Sequence, residues 1–152
     1  MTTARRAQDV LADYLAVWTD PSPQRDLSRL DELTTDDVRF KDPVQEVIGR
    51  SRLKAIFADA ARSVAHPLVT IDAIAWVDDR RAFVKWHYGG TLIRLKLQNW
   101  QVAGMSDMRF ASDGRLEKHE DHWDLSSGLF EHFPLVGGLF RRLRHRLRIH
   151  RG

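Results

Sequence analysis

The chain contains no cysteine. Disulfides, thiolate nucleophiles and cysteine-ligated zinc are therefore excluded, and packing and hydrogen bonds must hold the fold together. No apolar run is long enough to span a bilayer, and the opening Met1-Thr2-Thr3-Ala4-Arg5-Arg6-Ala7-Gln8 leads into no apolar signal core. A cytoplasmic location is the expectation. Acidic residues are missing from 141–152, which hold six arginines (141, 142, 144, 146, 148 and 151). Without those six, the chain's 24 cations no longer outnumber its 21 acids, so the body is mildly acidic and the positive charge is a property of the end. A basic stripe on the fold itself is lacking, and sequence-specific nucleic-acid binding is not expected.

What is present suffices for one domain with a full core: 152 residues, of which 43% are hydrophobic. Ala7, Val10, Leu11, Tyr14, Leu15 and Trp18 recur at three- and four-residue steps and predict a first amphipathic helix, broken by Pro21-Ser22-Pro23. Leu27, Leu30 and Leu33 predict a short second helix. Leu53, Ile56, Phe57, Ala60, Ala61 and Val64 predict a third, closed by His66-Pro67. From Val69 the pattern turns to strands: Val69–Val77, Ala82–Tyr88, one or two across Thr91–Phe110, and Leu116–Trp123. Helices followed by a meander predict an α+β fold, with three N-terminal helices packed on a curved antiparallel sheet. Their shared interior is the expected setting for an apolar cavity. The domain is expected over 1–133, and a basic amphipathic tail over 134–152.

Three constellations carry possible chemistry. Val38, Phe40 and Asp42 alternate with Arg39 and Lys41, so a strand would turn the carboxylate toward the apolar side, where burial favours a base of raised pKa. Tyr14 lies on the inward stripe of the first helix and could donate to a developing oxyanion beside it. The alternative is a core tyrosine bonded to a backbone carbonyl and an aspartate capping the turn before Val44. In the last strand, His119, Asp121 and Trp123 share one face while Lys118, Glu120, His122 and Asp124 share the other. A His–Asp pair so placed suits acid–base work. A solvated ladder of ion pairs is the plainer reading, and no third metal ligand follows from the spacing.

The third constellation is the end of the chain. Leu139, Phe140, Leu143 and Leu147 fall on one arc of a helix with arginines around the rest, suiting an anionic lipid, an acidic partner or RNA; docking of the arc on the domain or across a dimer interface is the plainer reading. Trp18, Phe40, Phe57, Trp86, Trp100, Ser106, Met108 and Trp123 are the expected pocket residues. The parity of Trp100, Val102, Gly104, Ser106, Met108 and Phe110 puts Ser106 on the apolar face and Asp107 on the opposite one.

Ala12-Asp13-Tyr14-Leu15, then Asp36-Asp37-Val38-Arg39-Phe40-Lys41-Asp42-Pro43-Val44, then Gly49 before the third helix, resemble the nuclear-transport-factor-2-like (NTF2-like) superfamily in its SnoaL-like branch. That superfamily includes ketosteroid isomerases, polyketide cyclases and limonene-epoxide hydrolases, and the resemblance covers about residues 4–133. It implies a cone-shaped α+β fold, a homodimer through the outer face of the sheet, and no cofactor or metal. In the isomerases the residue at Tyr14 is the oxyanion donor and that at Asp42 the general base. Ser106 stands where the isomerases carry a second donor, a protonated aspartate. Gly114-Arg115-Leu116 through Asp121-His122-Trp123-Asp124 is similar to the closing strand of the cyclases and epoxide hydrolases, where the residue at Asp121 is an acid or base. The epoxide hydrolases also use an arginine and a second carboxylate on a neighbouring strand, where this chain offers Lys85 and His87. The expectation is an acid–base enzyme of isomerase, cyclase or dehydratase type acting on a small apolar carbonyl compound. Asp42 or Asp121 would be the base, Tyr14 the oxyanion donor and His119 an auxiliary. The alternative is a non-catalytic module that binds an apolar ligand or a partner.

Overall fold

The computed structural model describes residues 5–148; Met1–Ala4 and Arg151 of the basic tail lie outside the described residues. The chain runs α1 (Ala7–Thr19), a 3-10 turn (Leu27–Arg29), α2 (Leu30–Leu33), β1 (Thr34–Lys41), β2 (Glu46–Ile48), α3 (Arg50–Ser63) and β3 (Val64–Asp78). It continues through β4 (Arg81–Leu92), β5 (Leu97–Phe110), β6 (Leu116–Trp123), α4 (Leu125–Gly128), a second 3-10 turn (Phe130–His132) and α5 (Gly137–Arg146). One six-stranded sheet has the order β2-β1-β6-β5-β4-β3. This is the α+β architecture expected, with two differences. The sheet is mixed, because β6 returns alongside β1 and runs parallel to it. A short helix, α4, also follows the last strand directly, ahead of α5, which forms over the helical arc expected in the tail.

Of the α1 stripe, Ala7, Val10, Leu11, Tyr14 and Leu15 are buried as their spacing requires; Val17 joins them, and Trp18 is only partly buried, on a cavity wall. Each fully buried apolar side chain contributes about 1.5–3 kcal/mol. Packing of this kind holds a helix of 13 residues that would be marginal alone. Gly49 opens α3 with φ at +106°, a conformation other residues adopt only under strain, and its N–H donates to Val38 O at 2.9 Å. Leu53 and Phe57 are then the buried positions of α3.

The boundary after α3 falls earlier than expected. Val64 begins β3, and His66-Pro67 lies inside that strand at a register shift between Ala65 and Leu68. His66 has φ at +51° there, so Pro67 sits at a bulge where its missing N–H breaks no regular ladder. Gly89-Gly90 stays within β4, which runs on to Leu92, and the chain turns before β5. The predicted parity of β5 holds: Trp100, Val102, Ser106, Met108 and Phe110 are buried. Asp107 points to the other face, where Arg81 donates to both of its oxygens at 3.0 and 3.1 Å.

Candidate active site

A cavity of about 210 Å³ opens between the sheet, the end of α1 and the flank of α3. Its wall includes Trp18, Phe40, Phe57, Trp86, Trp100 and Trp123, together with Asp42 and Asp121. Ser106 and Met108, expected on that wall, do not line it. Both are fully buried behind it: Trp86 covers Ser106, and Met108 lies deeper in the sheet between Ala82 and His119.

Asp121 is nine-tenths buried on the inner face of β6, two residues after His119. Its Oδ1 lies 2.7 Å from His119 Nε2 and accepts a hydrogen bond from Ser106 Oγ at 2.5 Å. Ser106 is brought opposite Asp121 by the β5–β6 register. The Trp86 indole donates to Ser106 Oγ at 2.8 Å. Indole nitrogen can only donate, so the serine must turn its own proton toward Asp121. Trp86 reaches the serine because residue 104, its neighbour across the β4–β5 ladder, is glycine; a Cβ there would stand 2.4 Å from the indole ring.

The other ring nitrogen of His119, Nδ1, is 2.8 Å from the Tyr14 hydroxyl. Both residues are fully buried. Burial, with a smaller contribution from the charge of Asp121, holds the Tyr14 pKa well above the ordinary phenol value. The phenol therefore keeps its proton; because the Asp121 carboxylate can only accept from Nε2, a neutral ring leaves Nδ1 to accept from the Tyr14 hydroxyl. This donor–acceptor balance assigns the imidazole proton to Nε2, facing Asp121. The His119 ring is fixed further by edge contacts to Trp18 and Phe40 at centroid distances of 5.3 and 5.0 Å. Two donors thus converge on Oδ1, and Oδ2 has no hydrogen-bond partner among the described residues.

Tyr14 and Asp42 are not brought together. The phenol is spent on His119, and Tyr14 is absent from the cavity wall. Asp42 opens the four-residue hairpin connection between β1 and β2, which its own N–H closes by bonding Gln45 O at 2.9 Å. Its Oδ1 accepts from the N–H groups of Val44 and Gln45 at 2.7 and 2.8 Å. Asp42 borders the cavity while capping this turn, the plainer of its two sequence readings.

On the outer face of β6, Glu120 accepts from Lys118 and pairs with Lys41 at 3.3 Å, forming the solvated ladder expected for that parity. Lys85 and His87 of β4 are exposed on the same outer side, so neither faces the cavity. Sequence reasoning did not single out Arg25, Tyr88 or Gln45, all of which border the cavity. Arg25 donates to the carbonyls of Trp18 and Phe57, tying the end of α1 to α3. It lies in a loop without periodicity, where no pattern marks it. Tyr88 shares parity with Trp86 and was legible by that rule. Burial raises the Tyr88 pKa to about 12.

The chain belongs to the SnoaL-like domain family, whose model matches residues 11–119. Solved structures agree in fold. A protein with a ketosteroid-isomerase-like fold from Catenulispora acidiphila, determined in complex with trimethylamine, is 20% identical over 80% of this chain and 89% of its own, with a TM-score of 0.66. A steroid delta-isomerase from Pseudomonas aeruginosa is 21% identical, covers 93% of each chain and has a TM-score of 0.63. An LEH-like epoxide hydrolase from M. tuberculosis is 17% identical over 91% of this chain and 96% of its own, also with a TM-score of 0.63. No curated protein is significantly similar in sequence. At these identities the structural likeness establishes the NTF2-like fold and leaves the reaction to be argued from the site.

Proposed function

We propose that this protein is an acid–base enzyme that uses its own side chains to move a proton on a small apolar carbonyl compound. The observation that carries this reading is the carboxylate of Asp121, on the wall of an aromatic cavity: Oδ1 is held by two donors, and Oδ2 has no hydrogen-bond partner among the described residues. A base must be fixed in place yet keep one lone pair for substrate, and this arrangement supplies both. Asp121 Oδ2 removes a proton from the carbon next to the carbonyl, the electron pair moves onto the carbonyl oxygen, and the proton returns from Oδ2 at the same or another carbon. Isomerisation, cyclisation and dehydration all share that first step. His119 and Ser106 act by positioning Asp121, and Tyr14 by positioning His119. Tyr88, Arg25 and Gln45 supply hydrogen-bond donors on the same wall for the developing oxyanion.

The test is deuterium wash-in by NMR, using a panel of small aryl ketones in D2O. The wild-type protein is expected to exchange the protons next to the carbonyl faster than buffer does. Asp121→Asn is expected to return the rate to background while its circular dichroism stays unchanged. Ketones that bind in the cavity without any exchange would establish the non-catalytic binding module instead.

A further inference from the structure

Helix α5 has two sides of different character. One side is docked: Phe140 packs on Phe130 at a centroid distance of 5.1 Å, Arg141 donates to Glu131 O, and Arg144 pairs with the buried Glu131 carboxylate at 2.8 Å. Gly137 allows this approach, since a Cβ there would stand 2.3 Å from Glu131 O. The other side carries Leu139, Leu143 and Leu147, spaced by four residues and 57%, 48% and 85% exposed. Leu135, in the turn just before the helix, is 96% exposed. Arg142 and Arg146 follow Leu139 and Leu143 by three residues and so flank the leucine row, with no ion-pair partner among the described residues. Residues 132–152 contain no acid.

We propose that this face of α5 is a reversible docking surface for an anionic lipid bilayer. Leucines on the exposed arc suit the boundary between headgroups and acyl chains, and the flanking arginines can keep their aliphatic stems there while their charged ends reach lipid phosphates. Charge selects this occupant over the others. A second copy laid on the same face would set arginines against arginines with no acid in the segment to neutralise them. A nucleic acid would satisfy the arginines and leave the leucine row in water. The helix is already folded and anchored through Glu131, so docking carries no cost of forming it. No helix among the described residues is long and apolar enough to cross a membrane, so the contact is peripheral. A few leucines and arginines make it weak and salt-sensitive.

Co-sedimentation of the full chain with phosphatidylcholine vesicles, and with vesicles containing phosphatidylglycerol, tests the proposal. The expected result is binding to the anionic vesicles at low salt, at least tenfold weaker on the zwitterionic ones. Leu139→Ser/Leu143→Ser and Arg142→Gln/Arg146→Gln should each abolish it. These positions are exposed, so melting temperatures should not change. No binding to anionic vesicles, or binding unaffected by the leucine pair, would overturn the proposal. So would a dimer in sedimentation equilibrium that the leucine pair dissociates, since the face would then serve self-association.

Discussion

The Tyr14 hydroxyl and His119 Nδ1 lie 2.8 Å apart, both fully buried, across 105 residues of sequence. That bond makes the tyrosine a support for the imidazole, with Asp121 on the far side of the same ring. Tyr14→Phe leaves Nδ1 buried without its donor and loosens the Nε2–H tautomer. Stability should fall by about 1–3 kcal/mol. Any measured exchange or turnover rate should fall roughly 10- to 100-fold, by analogy with the loss of outer supporting groups at metal sites. Denaturant melts and exchange rates on the same variant check both. A cavity-facing oxyanion donor would instead cost a larger rate factor, about 10²–10³, with little stability change.

The two carboxylates on the cavity wall separate by their hydrogen bonds. Asp121→Asn should lower the rate by about 10²–10⁴-fold, the usual contribution of a general base. Asp42→Asn keeps an acceptor oxygen for the Val44 and Gln45 N–H groups, and is expected to retain activity within a few-fold. Asp42→Ala loses that cap and should cost about 1 kcal/mol of stability. Parallel rate and melting measurements on the three variants decide it. A large rate loss in Asp42→Asn with Asp121→Asn unaffected would reverse the assignment.

The elements that sequence made legible are those governed by periodicity. The α1 stripe, the β5 parity and the split of β6 into a His119–Asp121 face and a Lys118–Glu120 face all follow from spacings of 3.6 or 2 and are all present. What spacing could not reveal was pairing at a distance. The alternation from Val38 to Asp42 suggested an inward carboxylate, but the strand ends at Lys41 and the hairpin turns Asp42 to its own backbone. Tyr14 was correctly inward, yet its partner depended on which residue of β6 lies beneath α1. The parallel return of β6 beside β1 sets that relationship, and no local pattern encodes it. Ser106 was assigned the right face and the wrong depth, because the Trp86 ring that covers it depends on the glycine across the ladder.

Gly104 therefore has a specific test. Alanine there would press a methyl group against the Trp86 indole, which must move or strain. Overpacking of this kind costs about 1–3 kcal/mol. Because the same indole donates to Ser106, Gly104→Ala should also lower the exchange rate and shift tryptophan fluorescence. A variant as stable as wild type, with unchanged emission, would show that the ring relaxes without consequence.

Alkaline pH offers a measurement that needs no substrate. The chain has only two tyrosines, Tyr14 and Tyr88, so phenolate absorbance near about 295 nm reports both. Burial raises each folded-state pKa above the ordinary value of 10.0, Tyr88 to about 12 and Tyr14 well upward. A group whose folded pKa is raised stabilises the fold fully below its unfolded pKa, and that contribution is lost as pH rises through the folded value. The window here opens near pH 10 and runs to about 12 for Tyr88. A shift of that size corresponds to about 2–3 kcal/mol. Phenolate absorbance should therefore stay low past pH 10 and then rise together with loss of the circular dichroism signal. Tyr88→Phe should move the unfolding midpoint to higher pH by removing one of the two groups that resist ionisation. Ordinary titration of both tyrosines near pH 10, with the fold intact, would place both phenols in water and break the Tyr14–His119 assignment.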